Sequence, residues 1–181
     1  MLRSGLLVGT IVATAGGAEA VSTAVAALGA TTVALEVDLQ DEDAVIAAAA
    51  SLGSVGVLVC DTTPAFVAAG GGIEGLGAGL DGAWNATRAV ANAIWCPGDG
   101  GRVVLLGPRP RDGAHAAALG AALENTARTL SIEWARYGIR STAVLPGDAT
   151  TDDEIAWLVA YLASPAGAYF TGCAFALGGE T

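Results

Sequence analysis

The stretch that decides the fold is residues 128–147, which read RTLSIEWARYGIRSTAVLPG. It completes a long alanine-rich segment, Ala114–Tyr137, whose apolar spacing predicts a helix. Gly138 follows at the position where many helices end in a left-handed residue. The apolar run Arg140–Leu145 then predicts a strand, which Pro146-Gly147 closes. A long helix followed at once by a buried strand is typical of an α/β domain.

Outward from this stretch, short β-branched runs alternate with longer alanine-rich segments, which indicates βαβ units and a parallel sheet. The other expected strands are Leu6–Thr14, Thr32–Asp38, Val55–Cys60, Arg102–Leu106 and Cys173–Leu177. The other expected helices are Ala18–Leu28, Asp41–Ser51, Leu80–Trp95 and one that begins at a capping box, Thr151–Glu154. We expect Pro64–Gly75 to be a Gly-rich loop, and residues 1–181 to form one domain.

Composition limits the classes of function. Hydrophobic residues make up 53% of the chain and charged residues only 14%, which suggests that much of its surface is covered by other chains. The net charge of −10 disfavours binding to nucleic acid or to an anionic membrane surface. The three cysteines, Cys60, Cys96 and Cys173, form no CxxC pair, so we expect a reducing, cytoplasmic setting and no metal site.

The N-terminal residues 1–20 imitate a secretory signal peptide, because a basic start precedes an apolar run and small residues. We instead expect Leu6–Thr14 to be the first strand, leading through Gly16-Gly17 into a helix. The regular alternation of predicted strands and helices after this segment favours the strand.

These motifs resemble the short-chain dehydrogenase/reductase family. The resemblance lies in residues 128–147, in LAS at 162–164, in TGCAFALGG at 171–179, in VDL at 37–39 and in GRVV at 101–104. It implies a Rossmann-like three-layer fold with a mostly parallel sheet. It also implies a truncated member that lacks the first βα unit and the substrate lid, because only Asp148–Thr150 separate Pro146-Gly147 from the capping box.

Members of this family bind NAD(P) and transfer a hydride, using a Tyr as acid/base, a Lys that lowers the Tyr pKa, a Ser and an Asn. By the resemblance, the Tyr position falls on Ala116 and the Lys position on Gly120. The Ser position falls on Gly107 or Pro108, and the Asn position on Gly79. No lysine occurs anywhere in the chain. We therefore predict no catalytic, cofactor-binding or metal-binding residue in this chain.

Three other features could carry chemistry. Gly70–Gly75 satisfies G-x-G-x-x-G but does not follow a strand, so we expect no phosphate cradle there. Arg109, Arg111, Asp112 and His115 follow the fifth family strand, and His115 beside Asp112 could act as a general base in a cofactor-independent lyase or dehalogenase-like enzyme. The simpler interpretation is a solvated loop in which Asp112 caps a helix. Asp61, at a strand end, could hydrogen-bond a loop.

Compared with the family, this sequence lacks the catalytic residues, the cofactor-binding turn and the segment that covers the substrate. The helices and the strand that form subunit interfaces in the family remain. The chain is thus expected to be a non-catalytic subunit that pairs with a full-length, active relative carrying NAD(P), in a heterotetramer. The docking elements would be helices 80–95 and 114–137 with the C-terminal helix and strand, and Trp84 and Trp134 would pack there. The resembling type is the two-subunit hydroxybenzylsuccinyl-CoA dehydrogenase. A homo-oligomeric scaffold or regulator is the remaining alternative.

Overall fold

The computed structural model describes residues 2–178, and within them six strands form one parallel sheet in the order β2-β1-β3-β4-β5-β6. Every pair of neighbouring strands runs in the same direction. The strands are Ile11–Ala15 (β1), Thr31–Ala34 (β2), Val57–Asp61 (β3), Gly101–Leu106 (β4), Ile139–Pro146 (β5) and Cys173–Leu177 (β6).

Six α-helices connect these strands: Glu19–Ala27 (α1), Glu42–Ser51 (α2), Thr63–Ala68 (α3), Ile73–Val90 (α4), Ala116–Glu133 (α5) and Asp152–Ala163 (α6). A π-helical turn, Ala91–Trp95, extends α4. Short 3₁₀ turns lie at Pro110–Asp112, Ala135–Tyr137 and Pro165–Tyr169.

The core lies in two layers, one on each face of the sheet. Val12, Val57 and Val104 face one side and pack with buried residues of α1 and α6. Ala13, Leu58 and Leu105 alternate with them along the strands, face the other side and pack with α2, α4 and α5. Helices on both faces of a parallel sheet confirm the Rossmann-like three-layer fold.

The order begins 2-1-3-4-5, which is one of the two common doubly wound orders, and it has one strand outside β1 where the order 3-2-1-4-5-6 has two. The chain runs from β1 outward to β2 and then returns to the other side of β1 to form β3. The order reverses between β1 and β3, and a crevice opens at such a switch point. The first strand of this chain therefore lies inside the sheet, next to the switch point.

Two of the expected strands are shorter than the sequence predicts. The strand expected at Leu6–Thr14 begins only at Ile11, because Gly5 and Gly9 adopt positive φ angles of 78° and 81° and the residues between them form turns. The strand expected at Thr32–Asp38 ends at Ala34.

The segment Pro64–Gly75 was expected to be a loop, and this prediction is wrong. It contains α3 and the start of α4, so the helix expected at 80–95 begins at Ile73. Glycine disfavours helices, but close packing here requires it. A Cβ on Gly75 would lie 2.5 Å from the Phe66 carbonyl oxygen, and one on Gly79 would lie 2.7 Å from a Leu119 methyl carbon.

The helix expected at 114–137 is α5 from Ala116 to Glu133 followed by a 3₁₀ turn. Gly138 ends it in the left-handed conformation at φ 70°, as predicted. Near this end, the Trp134 ring stacks on Trp84 of α4 with centroids 6.2 Å apart. The predicted packing of these two tryptophans is thus present within one chain.

The substrate lid is absent, as the sequence predicts, because α6 begins six residues after β5 ends, at Asp152. Thr151 caps this helix, and its side chain and that of Glu154 form the predicted capping box.

The last glycine of the 171–179 motif, Gly179, lies outside the described residues. Across residues 2–178, no helix combines the length and the hydropathy needed to cross a membrane.

Candidate functional site

A crevice of about 660 Å³ lies at the carboxyl ends of the central strands, at the switch point between β1 and β3. Its volume falls in the range of small-molecule sites, about 300–1,000 Å³. The lining residues come from the β1–α1 turn, the ends of β3, β4 and β5, and the first turns of α3 and α6. Most of the lining is apolar, and its charged side chains are Glu19, Asp61, Arg109 and Asp152.

The β1–α1 turn is built on two glycines. Gly16 and Gly17 both have positive φ angles, of 84° and 87°. A Cβ on Gly16 would lie 2.0 Å from the carbonyl oxygen of Asp61, so only glycine lets this turn pack against the end of β3. In Rossmann folds, the turn at this place leads into the helix that receives a pyrophosphate.

The residues of this turn do not fit a pyrophosphate. The run Gly16-Gly17-Ala18-Glu19-Ala20-Val21 lacks the G-x-G-x-x-G spacing. Glu19 places a carboxylate in the first turn of α1, where it would repel phosphate oxygens. An adjoining groove of about 700 Å³ does carry Glu36 and Asp38, in the region where such folds hold a ribose hydroxyl. Glu36 and Asp38 thus place carboxylates where a ribose would lie, whereas the β1–α1 turn lacks groups suited to a pyrophosphate.

Asp61 ends β3 and lines the crevice. Its Oδ1 accepts a hydrogen bond from the Thr63 backbone N–H at 2.9 Å, so Asp61 binds the first residue of α3 rather than a loop. Burial raises the pKa of Asp61, and Asp152 nearby adds to this, although the Thr63 hydrogen bonds and the charge of Arg109 act in the opposite direction. The carboxyl group is thus held in a setting that disfavours its charge.

Arg109 is already paired. Its guanidinium donates to the Thr150 carbonyl at 3.1 Å and forms an ion pair with Asp152. Arg111 binds the same connection, because its backbone N–H donates to Asp148 Oδ1 at 2.7 Å and its side chain donates to the Asp148 carbonyl. The two arginines tie the loop after β4 to the loop after β5, and neither is an unpaired cation awaiting an anion.

His115 and Asp112 do not form a catalytic pair in the described residues. Asp112 instead accepts a hydrogen bond from the Arg109 backbone N–H at 2.7 Å and caps the 3₁₀ turn. The His115 backbone N–H donates to the Gly71 carbonyl, and its Nδ1 is buried with no hydrogen-bond partner among residues 2–178. Since no described side chain orients this imidazole, the geometry does not support His115 as a general base.

The family's catalytic positions fall into a second, smaller groove of about 280 Å³, where Pro108, Ala116 and Gly120 line one surface. Gly79 lies apart, packed on Leu119 and near Thr62. Beside Gly107 and Gly120 lies Leu145, with a methyl carbon 3.1 Å from where a Gly107 Cβ would be. Among the residues that line the groove, the titratable side chain is Glu124, which pairs with Arg128.

The remaining motifs have structural roles. Gly70 and Gly71, with φ angles of 84° and 65°, form the turn between α3 and α4. A Cβ on Gly71 would lie 2.8 Å from the Gly113 Cα, so this glycine pair allows two loops to touch.

Burial raises the pKa of the Cys60 thiol to about 12, which leaves it protonated and unreactive at neutral pH. No metal-ligand cluster occurs among the described residues.

The convergence of Glu19 and Asp152 with Asp61 was not predicted from the sequence. Two features of the sequence could have indicated it. One is the Gly16-Gly17 pair between an apolar strand and a helix with an acid in its first turn, and the other is the capping box that begins α6. Both helices have acids in their first turns, and both first turns line the crevice.

The chain matches no protein-family model and no curated protein in sequence. Its fold, however, is similar to that of solved dehydrogenases. It superposes on the citronellol catabolism dehydrogenase AtuB of Pseudomonas aeruginosa PAO1 with a TM-score of 0.79 at 22% identity, covering 98% of this chain and 96% of that chain. For the hydroxysteroid dehydrogenase of Escherichia coli, the TM-score is 0.77 at 18% identity, with 97% and 99% covered.

A dehydrogenase/reductase from Sinorhizobium meliloti 1021 is also similar, with a TM-score of 0.72 at 20% identity over 96% of this chain and 95% of that chain. At these identities the likeness concerns the fold. The chain thus has the Rossmann-like fold of these dehydrogenases.

Proposed function

We propose that this chain is a degenerate member of the short-chain dehydrogenase/reductase superfamily that acts as a non-catalytic subunit. It pairs with an active, NAD(P)-binding relative, and the partner carries the Tyr and Lys of the reaction. The observation that carries the proposal is that proton-transferring side chains are missing from the family's catalytic positions, while apolar side chains remain exposed on the two neighbouring helices.

The residue types at the family's catalytic positions support this proposal. Hydride transfer to or from a carbonyl needs a group that moves a proton to or from the oxygen. Ala116, Gly120, Gly79 and Pro108 offer no such group, and the absence of lysine from the whole sequence removes the cation that would lower a phenol pKa. A cofactor-independent lyase or dehalogenase-like enzyme finds no support, because His115 and Asp112 are not hydrogen-bonded to each other.

The exposed faces of α4 and α5 support the pairing. Ile73 and Trp84 on α4 are 68% and 41% exposed, and Ile132 on α5 is 76% exposed. Ala117, Ala118 and Ala121 add a line of small exposed side chains on α5, which permits close approach of another helix. Exposed apolar side chains that recur along adjacent helices are typical of an interface rather than of a monomer surface.

The C-terminal elements offer a second contact. Trp157 on α6 is 39% exposed, and Tyr169 before β6 is 91% exposed. β6 is an edge strand of the sheet formed by the described residues, so one side of it is unpaired. Edge strands are usually covered or paired, and a partner subunit would do this.

Purification of the tagged chain from its own cells tests the proposal. We expect a full-length relative with the Tyr and Lys of the family to co-purify in a stable ratio, identified by mass spectrometry. Ile132→Glu places a charge on the α5 face and should abolish co-purification. Ile46→Glu, the same change at an exposed position of α2, should leave it intact.

Two results would contradict the subunit role. One is a chain that remains monomeric or purely homo-oligomeric in light scattering when the relative is co-expressed, which would favour a scaffold. The other is co-purification of a relative that itself lacks the Tyr and Lys of the family. Equal loss of pairing in the Ile132→Glu and Ile46→Glu variants would contradict the assignment of the interface to α5.

A further inference from the structure

We propose that a cavity at the amino ends of β1, β3 and β4 binds the phosphoryl group of a small ligand, with Arg102 as its cation and the hydroxyls of Thr10 and Ser54 as further donors. The cavity has a volume of about 260 Å³. It lies at the opposite edge of the sheet from the 660 Å³ crevice, which is built on the carboxyl ends of the strands. The inference does not rest on the subunit role, because every lining residue belongs to this chain.

The charge at this cavity is positive. Among the described residues that line it, Arg102 is the charged one. The ion pairs formed within residues 2–178 use Arg88, Arg109 and Arg128, so no carboxylate in that part of the chain pairs with Arg102. The chain as a whole has 18 acidic and eight basic side chains, yet none of the acids neutralises this site. An anionic group of a ligand would offset the local charge.

A second arginine adds to the positive charge beside the cavity. The register of β4 and β5 places Arg102 opposite Arg140, and both residues line one shallow depression next to Phe170. Like charges directly opposite each other on neighbouring strands destabilise a sheet. Burial lowers the pKa of Arg102, and the charge of Arg140 lowers it further. An anion bound at Arg102 would relieve this repulsion.

The guanidinium of Arg102 is held in place and still has donors to offer. Its Nη1 donates to the carbonyl oxygens of Ala163 and Ser164, 2.5 and 2.8 Å away, where α6 ends. Carbonyl oxygens carry only partial charge, so the guanidinium keeps its net charge. Its Nε and Nη2 groups have no acceptor among the described residues. A guanidinium fixed in this way loses little conformational entropy when it binds an oxyanion.

The two hydroxyl groups favour a phosphoryl group over a carboxylate. Thr10 and Ser54 line the cavity together with Arg102, and neither hydroxyl is hydrogen-bonded to another group of residues 2–178. A carboxylate has two oxygens, which a guanidinium can occupy as a bidentate pair. A phosphoryl group has three acceptor oxygens and can therefore accept from the guanidinium and from the hydroxyls at once.

Titration of the isotope-labelled full chain with inorganic phosphate, followed by two-dimensional NMR, tests the proposal. Sodium chloride at equal ionic strength controls for screening, and sodium acetate tests the preference for a phosphoryl group. Arg102→Gln removes the cation, and Ser54→Ala removes one hydroxyl at an exposed position. Arg136→Gln removes the charge of an exposed arginine that does not line the cavity, and it serves as the matched control.

We expect phosphate, but not chloride, to cause saturable shifts at Thr10, Ser54 and Gly56, and we expect acetate to bind more weakly. Arg102→Gln should weaken phosphate binding about tenfold or more, the size of effect expected for a charge-assisted hydrogen bond. Ser54→Ala should weaken it about threefold or more, as expected for one neutral hydrogen bond. Arg136→Gln should leave the affinity unchanged.

An adventitious ion only, seen as shifts that do not saturate or that chloride reproduces, would overturn the proposal. Equal binding of acetate and phosphate, unchanged affinity in Ser54→Ala, or a loss in Arg136→Gln as large as in Arg102→Gln would do the same. If Arg102→Gln fails to fold, Ser54→Ala and the acetate comparison decide alone. Co-purification with an active relative is independent of these outcomes, because the titration needs only this chain.

Discussion

Gly16 and Gly17 are adjacent residues with the same left-handed backbone but different surroundings. A Cβ on Gly17 would meet nothing within 4 Å, whereas one on Gly16 would collide with the backbone of Asp61. We expect Gly17→Ala to lower the free energy of unfolding by about 1–2 kcal/mol, the cost of the left-handed conformation alone. Gly16→Ala should cost a further ~1–3 kcal/mol through overpacking.

Urea denaturation of the two variants beside the wild type measures this difference. If both alanine variants lose the same stability, the close contact between the β1–α1 turn and β3 is not present in solution. The comparison therefore checks the geometry on which the crevice depends.

Asp61 should also make the stability of the chain depend on pH. Burial raises its pKa in the folded state, so the folded chain holds this proton more tightly than the unfolded chain does. The resulting stability is present below the unfolded pKa, about 3.9, and is lost as the pH rises through the folded pKa. Asp61→Asn cannot ionise, so its stability relative to wild type should increase from pH 4 to pH 7.5.

Urea unfolding of both proteins at several pH values tests this sign. Asp153→Asn controls for the general relief of repulsion in a chain of net charge −10. An Asp61→Asn variant whose advantage shrinks as the pH rises would mean that the carboxylate is stabilised, not destabilised, in the folded state.

At the scale of elements, α4 shows how packing overrides helix propensity. Gly77 has open space around it, whereas a Cβ on Gly75 would lie 2.5 Å from the Phe66 carbonyl oxygen. Gly77→Ala should therefore stabilise the isolated chain by about 1 kcal/mol through helix propensity. Gly75→Ala should destabilise it, since overpacking costs ~1–3 kcal/mol and outweighs that gain.

Thermal unfolding followed by circular dichroism compares the two variants. Stabilisation by both substitutions would show that α3 and α4 do not pack as closely as the Gly75 contact requires. Destabilisation by both would show that Gly77 faces a neighbour.

The same helix explains why the sequence predicted the fold better than the elements near the site. Periodic apolar runs such as Arg102–Leu106 and the capped helix at Thr151 carry local signals, and these elements lie where expected. The glycines of residues 70–82 carry a loop signal, yet Gly75, Gly79 and Gly82 lie within α4, where close packing against Phe66, Leu119 and Leu39 leaves no room for a side chain. Local propensity cannot encode such contacts.

The crevice was hard to predict for a related reason. Asp61 was identified at a strand end, but Glu19 and Asp152 join it through strand order, because α1 follows β1, the neighbour of β3, and α6 packs beside α1. The sequence resemblance placed the start of the chain at or near the family's second strand. The structure puts β1 beside β3, and this position makes the Gly16-Gly17 turn part of the crevice.

At the scale of the whole molecule, the proposed subunit role is compatible both with a well-formed fold and with Ala116 and Gly120 at the positions that the resemblance assigns to Tyr and Lys. A sheet of six parallel strands with both faces covered keeps α4 and α5 in place whether or not the groove beside them holds catalytic groups. Selection for a docking surface would preserve the core and the helix faces but not Ala116 or Gly120. The proposed subunit role would thus account for a well-formed fold whose groove at Pro108, Ala116 and Gly120 carries no proton-transferring side chain at those residues.

A subunit role also predicts the nucleotide stoichiometry of the complex. Because Glu19 occupies the helix start where a pyrophosphate would lie, we expect the isolated chain to show no binding in titrations followed by NADH or NADPH fluorescence. A heterotetramer of two such chains and two active relatives should bind two nicotinamide nucleotides, one per active relative. Saturation at four nucleotides per tetramer, or binding by the isolated chain, would mean that this fold keeps a working cofactor site and that its partner, if any, is not needed to supply one.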